Sequence, residues 1–228
     1  MSTIAENIAK VGERIREAAQ ASGRDLNSIG LLAVSKTKPS AAVREAFAAG
    51  LRDFGENYLQ EALEKQVELS DLPLIWHFIG PIQSNKTKPI AEHFAWVHSV
   101  DRLKVAQRLS EQRPVSLPPL NICLQVNVSL EPSKSGCAPD ELTALALAVS
   151  QLPNLCLRGL MAIPEPTDDV AAQRAAFARL RELRDGLPMP LDTLSMGMSH
   201  DLDAAIAEGA TWVRIGTALF GARDYPSA

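Results

Sequence analysis

Apolar residues recur along the chain in two rhythms. From Thr3 to Ala21, Ile4, Ile8, Val11, Ile15 and Ala18/Ala19 return at steps of three and four, which places them on one stripe of an amphipathic helix ended by Gly23. The next stretch, Ile29 to Pro39, is an apolar run that closes on two lysines, Lys36 and Lys38. A short unbroken apolar run between turn formers is the pattern of a strand covered on both faces, as in a parallel sheet. Ser40 then caps a helix over Ala41 to Ala49 that stops at Gly50.

The same alternation continues. Leu51 to Gly55 reads as a strand and Glu56 to Leu69 as a helix; Leu74 to Gly80 is a strand, and Ser84 opens the next helix. Ala95 to Val100, Leu120 to Val128, Leu155 to Ile163, Leu191 to Met196 and Thr211 to Gly216 complete eight strands. The helices between them span Asp101 to Gln112, Pro139 to Gln151, Asp168 to Asp185 and His200 to Glu208, with a final turn through Phe220. Eight strands alternating with helices predict an α/β fold, a single (β/α)8 TIM-type barrel over 1–228 with an extra N-terminal helix. An open doubly wound sheet is the alternative.

Composition narrows the class. With 228 residues, 46% hydrophobic and 22% charged, the chain has the material for one barrel and a sizeable core. A net charge of -4 without a basic cluster argues against nucleic acid as a partner. The N-terminus lacks the apolar core of a signal peptide and no window approaches a membrane span, so a cytoplasmic protein is expected. Cys123, Cys137 and Cys156 form no C-x-x-C pair, and His77, His93, His98 and His200 show no i, i+4 spacing, so neither a disulfide framework nor a metal site is expected.

The chemistry gathers at strand ends, where barrels place their ligands. Lys36 is an amine at the end of the first strand. It can hold a phosphate as an ammonium, or attack a carbonyl once desolvation or a neighbouring cation such as Lys38 lowers its pKa; it can also be a plain solubilising lysine on the rim. After the seventh strand, Gly197 and Ser199 sit before a helix; after the eighth, Gly216 and Thr217 open a last turn. Loops in these two places commonly bind phosphate, although either alone could be only a tight turn and a cap. Arg214, in an otherwise apolar strand, must find an acceptor or a π-face: a ring nitrogen, or a carboxylate such as Asp192 or Asp53.

Six ordered segments carry a family resemblance over nearly the whole chain. Ser-Lys-Thr-Lys-Pro at 35–39, Phe-Gly-Glu-Asn-Tyr at 54–58, His-Phe-Ile-Gly-Pro-Ile-Gln-Ser-Asn-Lys at 77–86, Gly-Leu-Met-Ala-Ile-Pro at 159–164, Leu-Ser-Met-Gly-Met-Ser at 194–199 and Val-Arg-Ile-Gly at 213–216 closely resemble the pyridoxal-phosphate homeostasis proteins. Those proteins look like the amino-terminal barrel of alanine racemase standing alone. The resemblance implies pyridoxal 5'-phosphate as cofactor, Lys36 as its Schiff-base lysine, Ser199, Gly216 and Thr217 as phosphate ligands, and Arg214 facing the pyridine nitrogen. Asn57 and His77 are further candidates for lining the ring. It also implies a role in vitamin B6 and amino-acid homeostasis without robust catalysis, with apo-enzymes that require the cofactor as candidate recipients.

Racemisation needs two acid/base groups on opposite faces of a carbanion, and racemases of this kind draw a tyrosine from a second domain. The chain stops at Ala228 with only Tyr58 and Tyr225, so no such domain, and a monomer, are expected. The competing reading is a fold-type III racemase or decarboxylase using Lys36 with His77 or Tyr58. A third is a barrel that clamps a phosphorylated sugar with Lys36 as an ammonium.

Overall fold

In the computed structural model, residues 2–129 and 135–222 are described. They form a closed barrel of eight parallel strands in sequential order, each strand paired with its neighbours in the chain and the first with the last. The strands are β1 Gly30–Val34, β2 Asp53–Glu56, β3 Ile75–Phe78, β4 Trp96–Val100, β5 Leu120–Gln125, β6 Leu155–Met161, β7 Thr193–Ser195 and β8 Trp212–Ile215. The helices are α1 Ile4–Ala21, α2 Ser40–Ala48, α3 Leu59–Glu68, α4 Thr87–His93, α5 Leu103–Gln112, α6 Leu142–Ser150, α7 Val170–Asp185, α8 Leu202–Ala207 and α9 Thr217–Phe220. This is the TIM-type barrel expected from the alternation, preceded by the extra helix.

Element ends move inward from the sequence expectation, because the residues beyond each strand end bend to build the mouth. The helix expected from Glu56 begins at Leu59, since Glu56 is still paired in the sheet opposite Phe78. That leaves Asn57 in the loop above β2. Ser40 is the first residue of α2 and does not cap it; Pro39 holds the cap position, and the Ser40 hydroxyl pairs with Glu68 instead. Capping does act at α1, where Thr3 accepts from the N–H of Glu6 and the Glu6 carboxylate accepts from the N–H of Thr3.

The main core lies between sheet and helices. Phe54, Phe78, Ile122, Leu124, Leu160, Leu194 and Val213 leave the outer face of the strands and are all but fully buried against residues such as Ile90, Leu109 and Phe177 from the helices. The lumen is a separate and smaller apolar region of Leu32, Val34 and Ile79 with Trp212. Strand alternation sends every second residue inward. So Trp212 and Arg214 on β8, Trp96 and His98 on β4, His77 on β3 and Ser195 on β7 meet inside the barrel, as contacts between strands on opposite sides of it require.

Gly159 lies directly against the backbone of β7. A Cβ there would lie 1.8 Å from the carbonyl oxygen of Thr193, its register partner on β7. Because the obstacle is backbone, relief requires the strands to separate. Gly159→Ala should therefore destabilise the protein by about 3 kcal/mol or more, the upper end of overpacking costs, read as a lowered midpoint in urea with little change in slope.

Candidate functional site

A cleft of about 250 Å³ opens at the carboxyl ends of the strands, the end at which barrels bind ligands. Its wall includes Lys36 from the end of β1, Asn57 from the loop after β2, Ser199 from the loop after β7, and Arg214, Gly216 and Thr217 from β8 and the turn beyond. Six of the seven residues expected at the site thus face one cavity. Lys38, Met198, His200 and Phe220 join them. Lys36, Lys38 and Arg214 make the wall cationic, and none of the described residues lining it carries a carboxylate.

His77 is the exception. It is fully buried within the barrel and is not part of the cleft wall. Its ring stacks on Trp96 at 5.5 Å, meets the edge of Trp212 at 5.1 Å, and bonds to His98 and Asp53. The reason is position along the strand: His77 lies opposite Gly55 and Trp96 within the sheet, short of the mouth where the loops gather. Tyr58, half exposed at 53%, also stands outside the cleft wall.

The Lys36 side is held from below by charge. The buried ammonium of Lys65, on α3, donates to the Ser35 carbonyl at 2.7 Å, to Glu56 Oε1 at 2.8 Å and to Glu61 Oε1 at 2.6 Å. Ser35 Oγ donates to Glu56 Oε1 at 2.6 Å, and the N–H of Thr37 donates to Glu61 Oε1 at 2.6 Å. Both neighbours of Lys36 are therefore tied to one cluster. Thr37 has φ +63, a left-handed conformation that costs a β-branched residue of order 1–3 kcal/mol and persists where surroundings enforce it. Burial pushes the Glu56 carboxyl above its ordinary value, opposed by Lys65 and Ser35.

The opposite side is built by backbone and by α1. Gly197 has φ +93, and a Cβ on it would come within 2.4 Å of the Ala205 methyl, so glycine is required there twice over. Gly216 has φ -115, open to any residue; crowding is what limits it, since a Cβ would lie 3.2 Å from the Val34 carbonyl. Arg14 of α1 donates to the Ser199 carbonyl at 2.6 Å and pairs with Asp203, while Asn7 donates to the Leu219 carbonyl at 2.9 Å. The extra helix thus braces the segments after β7 and β8, a role that its amphipathic pattern does not reveal.

Arg214 forms the floor, 4% exposed. Nη1 donates to Ser195 Oγ and Nη2 to the Ala162 carbonyl, each at 2.9 Å. Among the described residues no carboxylate stands within ion-pair distance of it: Asp192 is taken by Arg158 and Asp53 by His77. Burial brings its pKa down to about 10, countered by the more distant Asp201, and it stays a cation at neutral pH. Asn57 Oδ1 is buried and has no hydrogen-bond partner among the described residues, leaving an acceptor available at the cleft.

Residues 3–224 match the sequence profile of the alanine racemase N-terminal domain. A pyridoxal phosphate homeostasis protein of Pseudomonas aeruginosa is 82% identical over 225 residues, spanning 99% of this chain and 98% of its own. The chain belongs to this family. Another member, from Escherichia coli K12, is 53% identical over 99% of both chains. The solved structure of PipY from Synechococcus elongatus with PLP bound superposes with a TM-score of 0.83 at 45% identity, covering 96% of this chain and all of that one. Alanine racemase from Corynebacterium glutamicum shares the fold, with a TM-score of 0.66 at 18% identity over 61% of its length.

Two outcomes follow from these contacts. Lys65→Met leaves Glu56 buried without its cation, so a loss of about 3–5 kcal/mol is expected in denaturant titrations at pH 7. The second concerns pH. Burial lowers the pKa of His77 and, with the charges of His77 and Arg214 near it, lowers that of His98 strongly. The unfolded chain then binds protons below about pH 6.5 that the folded one refuses. Stability is full above that pH and falls as the pH drops below it, by up to about 1.4 kcal/mol per pH unit for each imidazole. Unfolding midpoints should fall steeply from about pH 6.5 to 5, above the range of exposed carboxylates; a flat profile there would show that the imidazoles charge at no cost.

Proposed function

We propose that the chain is a pyridoxal 5'-phosphate-binding protein of intracellular vitamin B6 and amino-acid homeostasis, holding the cofactor covalently and releasing it rather than turning over amino acids. The observation that carries this is one cleft bounded by an amine at the end of β1 and by two turn-forming loops after β7 and β8, with a buried guanidinium between them. That set fits the cofactor's parts. Lys36 would hold the aldehyde carbon, Ser199, Gly216 and Thr217 the phosphate, and Arg214 the ring nitrogen; Asn57 Oδ1 offers a buried acceptor to a hydroxyl donor on the ring. When bound, the cofactor supplies an electron-withdrawing ring, and a cation at its nitrogen weakens that withdrawal because it disfavours protonation there.

Absence of turnover is supported by what the described side chains can do. A racemase needs a second acid/base group facing the first. His77 lies in the barrel interior and Tyr58 outside the cleft wall. Of the other titratable groups at the cleft, Lys38 donates to the Ala222 carbonyl at 2.6 Å, and His200 stands by Thr167 and Asp168 at 3.2 and 3.1 Å. Among the described residues no helix is long and apolar enough to cross a membrane, which is compatible with a cytoplasmic site of action. A single-domain monomer that passes the cofactor to apo-enzymes completes the reading.

The test is an absorbance titration with pyridoxal phosphate followed by borohydride reduction and peptide mapping. A visible band and a reduced adduct on Lys36, both lost in Lys36→Ala, are expected. Ser199→Ala and Thr217→Ala should each weaken binding about 10-fold, the effect of one hydrogen bond to a charged group. Failure to form the adduct overturns the reading, and amino-acid turnover abolished by Lys36→Ala would replace the carrier with a racemase or decarboxylase.

A further inference from the structure

Below the cleft, five side chains from five strands form one unbroken line of hydrogen bonds through the lumen. Arg214 Nη1 meets Ser195 Oγ at 2.9 Å, Ser195 Oγ meets His98 Nδ1 at 2.7 Å, His98 Nε2 meets His77 Nδ1 at 2.9 Å, and His77 Nε2 meets Asp53 Oδ1 at 3.0 Å. Arg214, on β8, lines the cleft; Asp53 is the first residue of β2, at the opposite mouth, with its side chain 23% exposed. Everything between is closed to solvent.

The chemistry of the two ends sets the direction of every proton. Arg214 can only donate, and an ionised Asp53 can only accept. Ser195 Oγ accepts a hydrogen bond from Arg214, and its own hydroxyl donates to His98 Nδ1, its other hydrogen-bonded neighbour. His98 therefore carries its proton on Nε2 and gives it to His77 Nδ1, and His77 carries its proton on Nε2 and gives it to Asp53. All links are satisfied with both imidazoles neutral, in agreement with the downward pKa directions at both. In the reverse order each histidine carries its proton on Nδ1 and Ser195 accepts twice, which leaves its own hydroxyl hydrogen without an acceptor among the described residues. That order also leaves His77 Nε2 with a lone pair against the Asp53 carboxylate, so it requires one more proton at that end. The two orders differ by a single proton taken up at the lower mouth.

We propose that Asp53, His77, His98 and Ser195 are positioning residues for Arg214, a polarised relay through which the charge state of the lower mouth sets the hydrogen bonding of the cation at the cleft. Among the described residues, the charged group that acts on the relay from outside it is Asp201, which raises the pKa of Arg214 against the effect of burial. The neighbours packed against the imidazoles are Trp96 and Trp212; Arg158 lies over Trp96 at 5.1 Å and is neutralised by Asp192. Cys123, also near Arg214, is a buried thiol whose pKa burial raises. That a pyridine nitrogen senses Arg214 rests on the function proposed above; the polarity of the relay does not.

The test begins with ¹⁵N-histidine spectra of the wild-type protein without cofactor. Both buried imidazoles should be neutral and carry the proton on Nε2 between pH 6 and 8. Asp53→Asn replaces the carboxylate with a group that can turn its amide N–H toward His77, so the Nδ1-protonated order becomes available without an added proton. His77 and His98 should shift toward it together. In protein loaded with pyridoxal phosphate, Asp53→Asn should displace the pH profile of the visible band, and Ser195→Ala should abolish that displacement while leaving the histidine shifts in place. A cationic or Nδ1-protonated imidazole in the wild type overturns the relay. So does a spectral effect of Asp53→Asn that survives Ser195→Ala. If no visible band forms, the cofactor reading fails and the histidine spectra alone decide the relay.

Discussion

A buried guanidinium with no carboxylate paired to it among the described residues governs the interior of this barrel. Burying a charge in a low-dielectric lumen is expensive unless each donor finds an acceptor. Arg214 meets that demand with a hydroxyl and a main-chain carbonyl, both neutral, and so keeps its net positive charge. The lumen cannot then be filled with aliphatic side chains as in most small barrels. It holds two histidines, a serine and two tryptophans instead, with the apolar cluster confined to Leu32, Val34 and Ile79. A retained positive charge is what an anionic or lone-pair-bearing ligand can use.

The two walls of the cleft are stiffened by different means. On the β1 side, a buried ammonium with two carboxylates grips the residues flanking Lys36 and holds Thr37 in a left-handed turn. Such a cluster contributes little net stability as a charge pair but is costly to break, so it defines a geometry. On the β7 and β8 side the grip is through backbone carbonyls, taken by Arg14 and Asn7 of the first helix. Lys36 and the loops after β7 and β8 are thus fixed to one frame, which suits a site that holds one ligand in one pose.

Membership in the pyridoxal phosphate homeostasis family and likeness to the racemase barrel are consistent with this division of labour. Among the described residues the cleft wall carries Lys36, Lys38 and Arg214 and no carboxylate.

The sequence by itself determined the class of fold and most of the cleft. Two hydrophobic rhythms and eight apolar runs specify the barrel, because burial on both faces of a parallel strand demands unbroken apolar stretches. Strand ends are marked by Gly and Pro, so residues placed just beyond them, Lys36, Asn57, Ser199, Gly216 and Thr217, could be assigned to the mouth from the chain alone. Only the tertiary structure decided what lies across the barrel. His77 read as a mouth residue because its segment leads there, yet two residues of register put it in the lumen. Its partnership with His98, Asp53 and Ser195 joins strands far apart in the chain, and so do the hold of Lys65 on Ser35 and that of Arg14 on Ser199. Local pattern reports which face a side chain takes; which residues share that space depends on closure of the sheet, and closure is a property of all eight strands together.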